Sequence, residues 1–141
     1  MKSIYVLGCG NLGATIANDL SRRRKDVVVV DNDRSSFAML SEDFGGQQEI
    51  ADANDLDELR AIGIEEATEV FVTTGNDNLS LFLALACAKI FHVPYVYVRL
   101  DDPTLGILVQ NEENIKAVYP FRLTRDRLSE LIFSTTGGAG E

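Results

Sequence analysis

The sequence predicts an α/β fold in which a doubly wound, six-stranded parallel sheet forms a single domain. Six short apolar runs alternate with helical patterns along the 141 residues, and this alternation is typical of parallel sheets with right-handed crossovers. The run DVVVVD, residues 26–31, is apolar on both faces, as a central parallel strand is. The length suits one domain with a sizeable core, and no linker or repeat divides the chain.

The first half of the chain supplies three strands and three helices. SIYVLG has the continuous apolar character of a buried strand, and the helix after it is amphipathic, because Ile16, Ala17 and Leu20 share one face. A turn at Asn32 precedes the second helix, and Gly63 ends the third. The predicted bounds are 3–8, 26–31 and 47–51 for the strands and 11–24, 33–43 and 55–62 for the helices.

The second half repeats the pattern. EVFVTT and YVYVRL are rich in the β-branched and aromatic residues that favour strands. Asn76 or Asp77 is expected to cap the helix between them, and Pro103 to open the next helix. The tail STTGGAGE, residues 134–141, is typical of a flexible chain end, so the domain is expected to span 1–133. The predicted bounds are 69–74, 95–100 and 117–120 for the strands and 77–91, 103–112 and 122–133 for the helices.

The composition excludes several classes of function. With 22 acidic against 13 basic residues the formal net charge is −9, whereas a free-standing nucleic-acid-binding domain is basic. No apolar run approaches the roughly 20 residues of a membrane span, and no signal peptide precedes the first strand. Cys9 and Cys87 lack metal-ligand spacing and indicate free thiols in a reducing compartment. We expect a cytoplasmic protein that neither binds nucleic acid nor inserts into a membrane.

The stretch VLGCGNLGATIA, residues 6–17, places Gly8, Gly10 and Gly13 between the first strand and the first helix. In a Rossmann fold the first glycine makes a tight turn, the second lets the backbone approach a pyrophosphate, and the third lets the helix pack closely. Asp31 ends the second strand, where a carboxylate accepts hydrogen bonds from ribose hydroxyls and repels a 2′-phosphate. The sequence therefore predicts a Rossmann fold with a nucleotide site that disfavours NADP. The alternative is a loop whose glycines serve packing alone.

No catalytic constellation accompanies this site in the sequence. A dehydrogenase needs a substrate pocket and usually a proton donor, yet the single histidine, His92, lies in the link KIFHVPY and is interpreted as structural. No tyrosine has a lysine four residues after it, so a Tyr-x-x-x-Lys pair is excluded. We predict a binding or sensing module and not an enzyme. The alternative is an NAD-dependent oxidoreductase fragment that lacks its substrate domain.

Three further features have competing interpretations. Cys9 is either a redox-sensitive thiol at a helix N-terminus or a small residue that fits the loop, and the second is favoured. The basic run 22–25 lies at the sheet edge opposite the glycine loop, which favours a solvated surface over a phosphate site. Asp77, Asp101 and Asp102 either bind a divalent cation or cap helices and turns. Capping is favoured, and no metal is predicted.

The segments that follow the strands are GCGNLG, DND, ADAND, TTGNDN and VRLDDP, and AIGIEEATEVFVTT spans residues 61–74. From residue 2 to about residue 132, the chain resembles the N-terminal lobe of RCK/KTN domains, the TrkA and KtrA type regulatory subunits of potassium channels and transporters. The resemblance implies a cytoplasmic subunit that binds NAD(H), ATP, ADP or AMP. It also implies assembly into dimers or rings that gate a potassium-translocating membrane protein at its inner face. A quinone-reductase-like or antiporter-associated regulatory domain is a further alternative.

The resemblance also implies roles for individual residues. The glycine loop would hold the phosphates, Asp31 the adenosine ribose, and the residues after the third strand the adenine. The residues after the fourth strand would line the cleft, and Arg99 would reach a phosphate or an assembly partner. The candidate cofactor-binding residues are Gly8, Cys9, Gly10, Asn11, Leu12, Gly13, Asp31, Asn32, Asp33, Asp52, Ala53, Thr73, Thr74, Gly75, Asn76 and Arg99.

Three departures from the family pattern stand out. Many members have an arginine where this chain has Asn11, so discrimination between ATP and ADP is not expected from that position. Ala51 replaces the glycine of the common Gly-Asp-Ala motif. The C-terminal lobe of longer members has no counterpart here, which fits either a short subunit or a piece of a longer protein.

Two helices predict assembly into a homo-oligomer. LSLFLALACAKIF, residues 79–91, is apolar around most of its circumference, whereas a helix on one sheet face needs a single apolar stripe. We expect its second face to pack on a partner subunit; the alternative is a helix buried within its own domain. Helix 122–133 is amphipathic, and in the family the corresponding crossover helix packs against a neighbour. We therefore predict a dimer or ring formed through helices 77–91 and 122–133.

Overall fold

Six parallel strands form one sheet. The structure, a computed structural model, describes residues 3–140, with side chains as far as residue 134. The strand order is β3-β2-β1-β4-β5-β6 and every neighbouring pair is parallel, so the predicted doubly wound, six-stranded sheet is confirmed. The strands are β1 Ser3–Leu7, β2 Val27–Asp31, β3 Gln47–Ile50, β4 Ala67–Val72, β5 Tyr95–Arg99 and β6 Ile115–Val118.

Helices lie on both faces of this sheet. Alternate residues of β1 serve the two faces: Val6 packs with Ala14 and Ala17 of the first helix, whereas Tyr5 and Leu7 belong to the larger cluster on the other face. The α-helices are α1 Asn11–Arg22, α2 Leu56–Ala61, α3 Asp77–Lys89 and α4 Pro120–Gly140, and short 3₁₀ segments occupy Arg34–Met39, Ile64–Glu66 and Pro103–Leu108.

Two predicted α-helices are 3₁₀ segments, and both predictions were too long. The helix predicted at 33–43 is replaced by Arg34–Met39, because the Ser41 N–H donates to Asn18 Oδ1 at 3.0 Å and the Ser41 hydroxyl to Asp43; such local side-chain bonds compete with helical ones. The helix predicted at 103–112 is Pro103–Leu108, since Gly106 in its middle is a poor helix former.

Two predicted strands are displaced by two residues each. The strand predicted at 69–74 is Ala67–Val72, because the Thr73 hydroxyl donates to the Gly8 carbonyl and the chain turns there. The strand predicted at 117–120 is Ile115–Val118, because Pro120 opens the next helix and proline suits a first helical position. That helix begins two residues before its predicted start and continues past 133 to Gly140. Glu141 lies outside the described residues, and the flexible tail stays a prediction.

Helix α3 is buried in its own domain around most of its circumference. Leu81, Leu83, Ala84 and Cys87 are all at most 7% exposed. Of the large apolar side chains at 77–91 that the structure describes, only Phe82 and Ile90 are exposed by more than a third. Most of the apolar surface that motivated an interface on α3 is therefore covered within the subunit itself, and Phe82 and Ile90 are the part that stays exposed.

Candidate nucleotide-binding site

The three glycines of the loop between β1 and α1 have different geometric roles. Gly8 has φ +106°, a conformation that side chains disfavour, and a Cβ there would lie 3.0 Å from the Thr73 carbonyl oxygen. A Cβ on Gly13 would lie 1.8 Å from the Gly8 carbonyl oxygen, so only glycine lets α1 approach the loop this closely. Gly10 has open space around its Cβ position. The loop conformation therefore requires glycine at positions 8 and 13, whereas Gly10 leaves the outer side of the loop free of side chains.

Among the described residues, no side chain caps the N-terminus of α1. Gly10 is its N-cap residue and forms no side-chain cap bond, and no acidic residue occupies the first turn. The backbone N–H groups of Asn11, Leu12 and Gly13 belong to that turn, where helical amides have no intrahelical acceptor. Together with the helix dipole they favour an anion.

The Asp31 carboxylate lies at the end of β2, beside the glycine loop. Its Oδ2 accepts the Cys9 N–H at 2.8 Å and its Oδ1 accepts the Asp33 N–H at 2.9 Å. A carboxylate has about four acceptor positions, so these two bonds orient the group and leave acceptor capacity on each oxygen. Asp31 is half-buried.

Two carboxylates, one in the segment after β3 and one in α2, bind the backbone of that segment. The Asp52 N–H donates to Glu58 Oε2 at 2.7 Å, and the Asn54 N–H donates to Asp52 Oδ1 at 2.9 Å. Ala51 is buried, whereas Asp52 and Asn54 are exposed. The segment therefore presents a small apolar floor with a polar rim.

The segment after β4 closes the opposite side. Thr73 is buried, and its hydroxyl donates to the Gly8 carbonyl at 2.9 Å. The Thr74 hydroxyl pairs with Ser80 Oγ at 2.5 Å, and Asn76 Oδ1 caps α3 by accepting the Leu79 N–H at 3.0 Å. Thr73 thus fixes the distance between the glycine loop and the β4 end.

These segments enclose a cavity of about 270 Å³. It lies at the carboxyl ends of the strands where the strand order reverses, between β1 and β4, the position at which open α/β sheets bind ligands. Among the described residues that line it, Asp31 and Asp52 are the ones with ionisable carboxylates. The lining residues are Leu7, Gly8, Gly10, Val30, Asp31, Asn32, Ser36, Ala51, Asp52, Ala53, Asn54, Thr73, Thr74, Gly75 and Leu79.

The cavity brings together nine of the sixteen candidate residues from the sequence. The nine are Gly8, Gly10, Asp31, Asn32, Asp52, Ala53, Thr73, Thr74 and Gly75. The others stand outside its lining: Cys9, Asn11, Leu12, Gly13, Asp33, Asn76 and Arg99. Gly13 lets α1 pack against the loop and Asn76 caps α3, whereas the backbone N–H groups of Cys9 and Asp33 donate to Asp31. The Arg99 guanidinium pairs with Asp101 Oδ1 at 3.3 Å.

Sequence reasoning missed six lining residues: Leu7, Val30, Ser36, Ala51, Asn54 and Leu79. Leu7 and Val30 are the last or next-to-last residues of their strands, so their place at the carboxyl edge was available as a signal. Ser36 lies in a segment taken for a regular helix, and nothing in the sequence placed its side chain toward the cavity.

Cys9 is a buried thiol in this loop. It has no exposed surface, and burial, with a smaller contribution from the Asp31 charge, raises its pKa to about 11. A thiol of raised pKa is a poor nucleophile at neutral pH. The geometry thus agrees with the favoured interpretation of Cys9 as a small residue that fits the loop.

The candidate catalytic and metal-binding groups are not among the described residues that line the cavity. His92 is exposed between α3 and β5 and has φ +55°. Asp77 Oδ1 and Oδ2 accept the backbone N–H groups of Asp101 and Asp102 at 2.9 and 2.8 Å, and Asp102 caps the 3₁₀ segment after it. Within residues 3–140, no group of three or more His, Cys, Asp or Glu residues is arranged to hold a metal ion.

Comparison with known proteins identifies the family. The family model of the TrkA-N domain matches residues 4–120. The chain belongs to the TrkA-N domain family. The resemblance to RCK domains of TrkA type is thereby confirmed.

Named relatives of this TrkA-N chain are longer than the chain itself. It is 33% identical over 125 residues to the Trk system potassium uptake protein TrkA of Streptomyces coelicolor, covering 89% of this chain and 56% of that protein. It is 28% identical over 102 residues to the TrkA protein of Mycobacterium tuberculosis, covering 71% and 45%. The chain thus spans about half the length of these relatives.

Solved structures share the fold at low sequence identity. The TrkA-N domain of the Escherichia coli inner membrane protein ybaL superposes with a TM-score of 0.79 at 15% identity, over 92% of this chain and 95% of that one. The Kef CTD of Shewanella denitrificans in its AMP-bound form gives 0.71 at 18% identity, over 99% and 82%. The GsuK channel bound to NAD gives 0.69 at 19% identity, over 84% and 21%. Within residues 3–140 of the TrkA-N chain, no helix has the length and apolar character needed to cross a bilayer.

Proposed function

We propose that this TrkA-N chain is the nucleotide-sensing part of a cytoplasmic regulatory subunit in a potassium uptake or channel system, and that it is not an enzyme. The observation that supports this most is the cavity, which is lined by the oriented Asp31 carboxylate and by Gly10, the N-cap residue of α1. Within the part of the chain that the structure describes, none of the lining residues is a His, Cys, Lys or Tyr that would act as proton donor or nucleophile. Binding, without chemistry, is the function that such a site supports.

The cavity divides into regions of distinct chemistry. The phosphates would lie at Gly10 and the first-turn amides of α1, which offer partial positive charge. Asp31 would accept hydrogen bonds from the ribose hydroxyls. The adenine would lie against Val30, Ala51 and Ala53, which supply its apolar contacts.

The ligand we propose is an adenine nucleotide: NAD(H), or alternatively ATP, ADP or AMP. Structural neighbours carry NAD, ADP or AMP, which supports nucleotide binding by this fold. Asp31 would repel the 2′-phosphate of NADP(H). Asn11 has no positive charge for a terminal phosphate, so we expect little preference for ATP over ADP.

Gating would follow from repacking of subunits. We propose a homo-oligomer, a dimer or a ring, held by α4 and by the exposed Phe82 and Ile90 at α3, on the inner face of a potassium-translocating membrane protein. Nucleotide shifts such an assembly only if it binds two packings with different affinity. The names of the relatives support potassium transport as the regulated process.

An NAD-dependent oxidoreductase fragment is the competing function. It predicts turnover once a substrate domain or substrate is added. An oxidoreductase fragment would also be expected to have a proton donor at the cavity, whereas His92 lies between α3 and β5 and is not a lining residue.

Thermal unfolding of the purified chain against NAD, NADH, NADP, AMP, ADP and ATP, with and without Mg²⁺, tests the proposal. A ligand present at 100 times its Kd that binds only the folded state adds about 2.7 kcal/mol of stability. We expect stabilisation by the nucleotides without a 2′-phosphate and none by NADP. No shift with any nucleotide, in wild-type protein that is folded and oligomeric, would contradict the proposed sensing role.

A further inference from the structure

The cavity lies over one half of the sheet and the strand next to it. Its lining residues belong to β1, β2 and the segments that follow β1, β2, β3 and β4, together with Leu79 of α3. Among the described residues that line it, none belongs to β5, to β6 or to the segments after them. Sheets with this strand order consist of two mononucleotide-binding halves, and a dinucleotide binds across both. The cavity of this chain thus serves the half formed by β1, β2 and β3.

The two helices that begin where the strand order reverses have different N-termini. At α1 no described side chain forms a cap bond and the first turn holds no acid, so its amide groups remain available to a phosphate. At α3 the Asn76 side chain accepts the Leu79 N–H at 3.0 Å, and Asp77 places a carboxylate in the first turn. A phosphate group at α3 would meet a capped helix end and a negative charge.

The segment after β5 uses its hydrogen-bond donors within the chain. Asp77 accepts the backbone N–H groups of Asp101 and Asp102 at 2.9 and 2.8 Å. Asp102 accepts the N–H and the hydroxyl of Thr104, and Arg99 Nε and Nη2 both donate to Asp101 Oδ1 at 3.3 Å. A second ribose or phosphate at this edge would have to displace carboxylates from these donors. Because a polar group that loses its partner costs free energy, this half of the edge is poorly suited to a second nucleotide.

The size of the cavity agrees with a single nucleotide. Its volume of about 270 Å³ lies below the roughly 300–1,000 Å³ of pockets that enclose drug-sized ligands, and a dinucleotide is larger than most such ligands. We propose that the site recognises one adenosine 5′-monophosphate unit, so that AMP is bound whole and NAD(H) is bound through its AMP half alone. The nicotinamide nucleotide then stays in solvent. The inference rests on the proposed nucleotide site and names the part of the ligand that it recognises.

Saturation-transfer difference NMR of NAD with the purified full chain reports which half of the ligand contacts the protein. We expect saturation of the adenine protons and of the anomeric proton of the adenosine ribose. The nicotinamide ring protons should receive less than one fifth of the saturation of the adenine protons. Nicotinamide mononucleotide alone, which lacks the adenosine unit, is the control and should receive none.

Isothermal titration provides a second measurement. NAD should bind no more than threefold tighter than AMP, because its second nucleotide adds no contact. Gly10→Ala, at the N-cap of α1, should weaken AMP and NAD by the same factor. Arg99→Ala removes the guanidinium at the end of β5 and should leave the affinity for NAD within twofold of wild type. Circular dichroism verifies that each variant is folded.

The outcomes distinguish this inference from the proposed function. Saturation of the nicotinamide protons comparable to that of adenine, or NAD binding more than threefold tighter than AMP, overturns the single-unit site and leaves nucleotide sensing intact. A loss in Arg99→Ala that affects NAD and not AMP does the same. If folded wild-type protein gives neither saturation nor binding heat with any adenine nucleotide, nucleotide sensing is overturned together with the inference.

Discussion

Asp31 and Cys9 are joined by a hydrogen bond that ties the end of β2 to the glycine loop: the Cys9 N–H donates to Asp31 Oδ2 at 2.8 Å. The same carboxylate faces the cavity. One side chain therefore fixes the loop that would receive phosphates and offers the acceptors that would receive ribose. Its removal affects both the free energy of unfolding and the affinity for nucleotide, and the two effects are separable.

Replacing Asp31→Ala should weaken adenine-nucleotide binding by about 1–3 kcal/mol, the scale of hydrogen bonds to a charged group. Isothermal titration of the folded variant reports this loss, and urea unfolding without ligand reports the loss of the Cys9 contact. Asp43→Ala is the matched control, because Asp43 is an exposed acid that accepts from the Ser41 hydroxyl and does not line the cavity. Unchanged affinity in Asp31→Ala would remove Asp31 from the binding site.

Gly13→Ala should destabilise the fold by at least about 3 kcal/mol, the upper range for overpacked positions. Its Cβ would lie 1.8 Å from the Gly8 carbonyl oxygen, and neither backbone segment moves without breaking the loop. The measurement is the urea midpoint of the purified variant. Wild-type stability would show that α1 is free to move away from the loop, contrary to the close packing described.

In contrast to Gly13→Ala, Gly10→Ala should lower the affinity for nucleotide and leave the free energy of unfolding nearly unchanged. Space around this position is open, so stability should remain near wild type. Nucleotide affinity should fall by about 1.5–3 kcal/mol, because a methyl group would separate the phosphates from the α1 amides with which they form charged hydrogen bonds. If affinity is unchanged while stability holds, the phosphates do not lie on Gly10.

Much of this site could be predicted because the order of parallel strands determines which segments meet at the carboxyl edge of the sheet. Once Asp31 is assigned to the end of the second strand, the parallel order brings it to the same sheet edge as the glycine loop. The surroundings of helix α3 could not be predicted in this way. The apolar pattern predicts that residues such as Leu83 and Cys87 are buried, but it does not indicate whether the same subunit or a partner covers them. Ser36 was missed for a different reason: the sequence predicts a regular helix over 33–43, whereas the chain forms a 3₁₀ segment at Arg34–Met39.

The thiol of Cys9 should make stability fall in alkali. An unfolded cysteine loses its proton near pH 8.5, whereas burial raises the pKa of Cys9 to about 11 in the folded chain. Between these values the unfolded state binds fewer protons, so the free energy of unfolding decreases as pH rises. Urea unfolding from pH 8 to 11 should show a steeper loss for wild type than for Cys9→Ala.

Burial of Cys9 and Cys87 also predicts that both thiols react slowly in the folded chain. Burial also raises the pKa of Cys87, to about 12, so neither thiol should react with a disulfide reagent at pH 8 until the chain is unfolded. Native labelling with mass-spectrometric readout checks this. Rapid native labelling of Cys9 would instead support the redox-sensitive interpretation.

Asp77 should act as a structural clamp and not as a metal ligand. Both carboxylate oxygens accept backbone N–H groups, those of Asp101 and Asp102 at 2.9 and 2.8 Å. Because these bonds go to a charged acceptor, Asp77→Ala should lower the free energy of unfolding by about 1.5–3 kcal/mol, and Asp77→Asn, which keeps one acceptor, by less.

Asp101→Ala is the matched control for the clamp. It keeps the backbone N–H that Asp77 binds and removes only the exposed ion pair with Arg99, which at such sites contributes about 0–1 kcal/mol. Urea unfolding with EDTA and with Mg²⁺ distinguishes the clamp from a cation site. If Mg²⁺ alone stabilised wild type and this stabilisation disappeared in Asp77→Asn, the carboxylate would be a ligand. A clamp predicts that the loss in Asp77→Ala is the same with EDTA and with Mg²⁺.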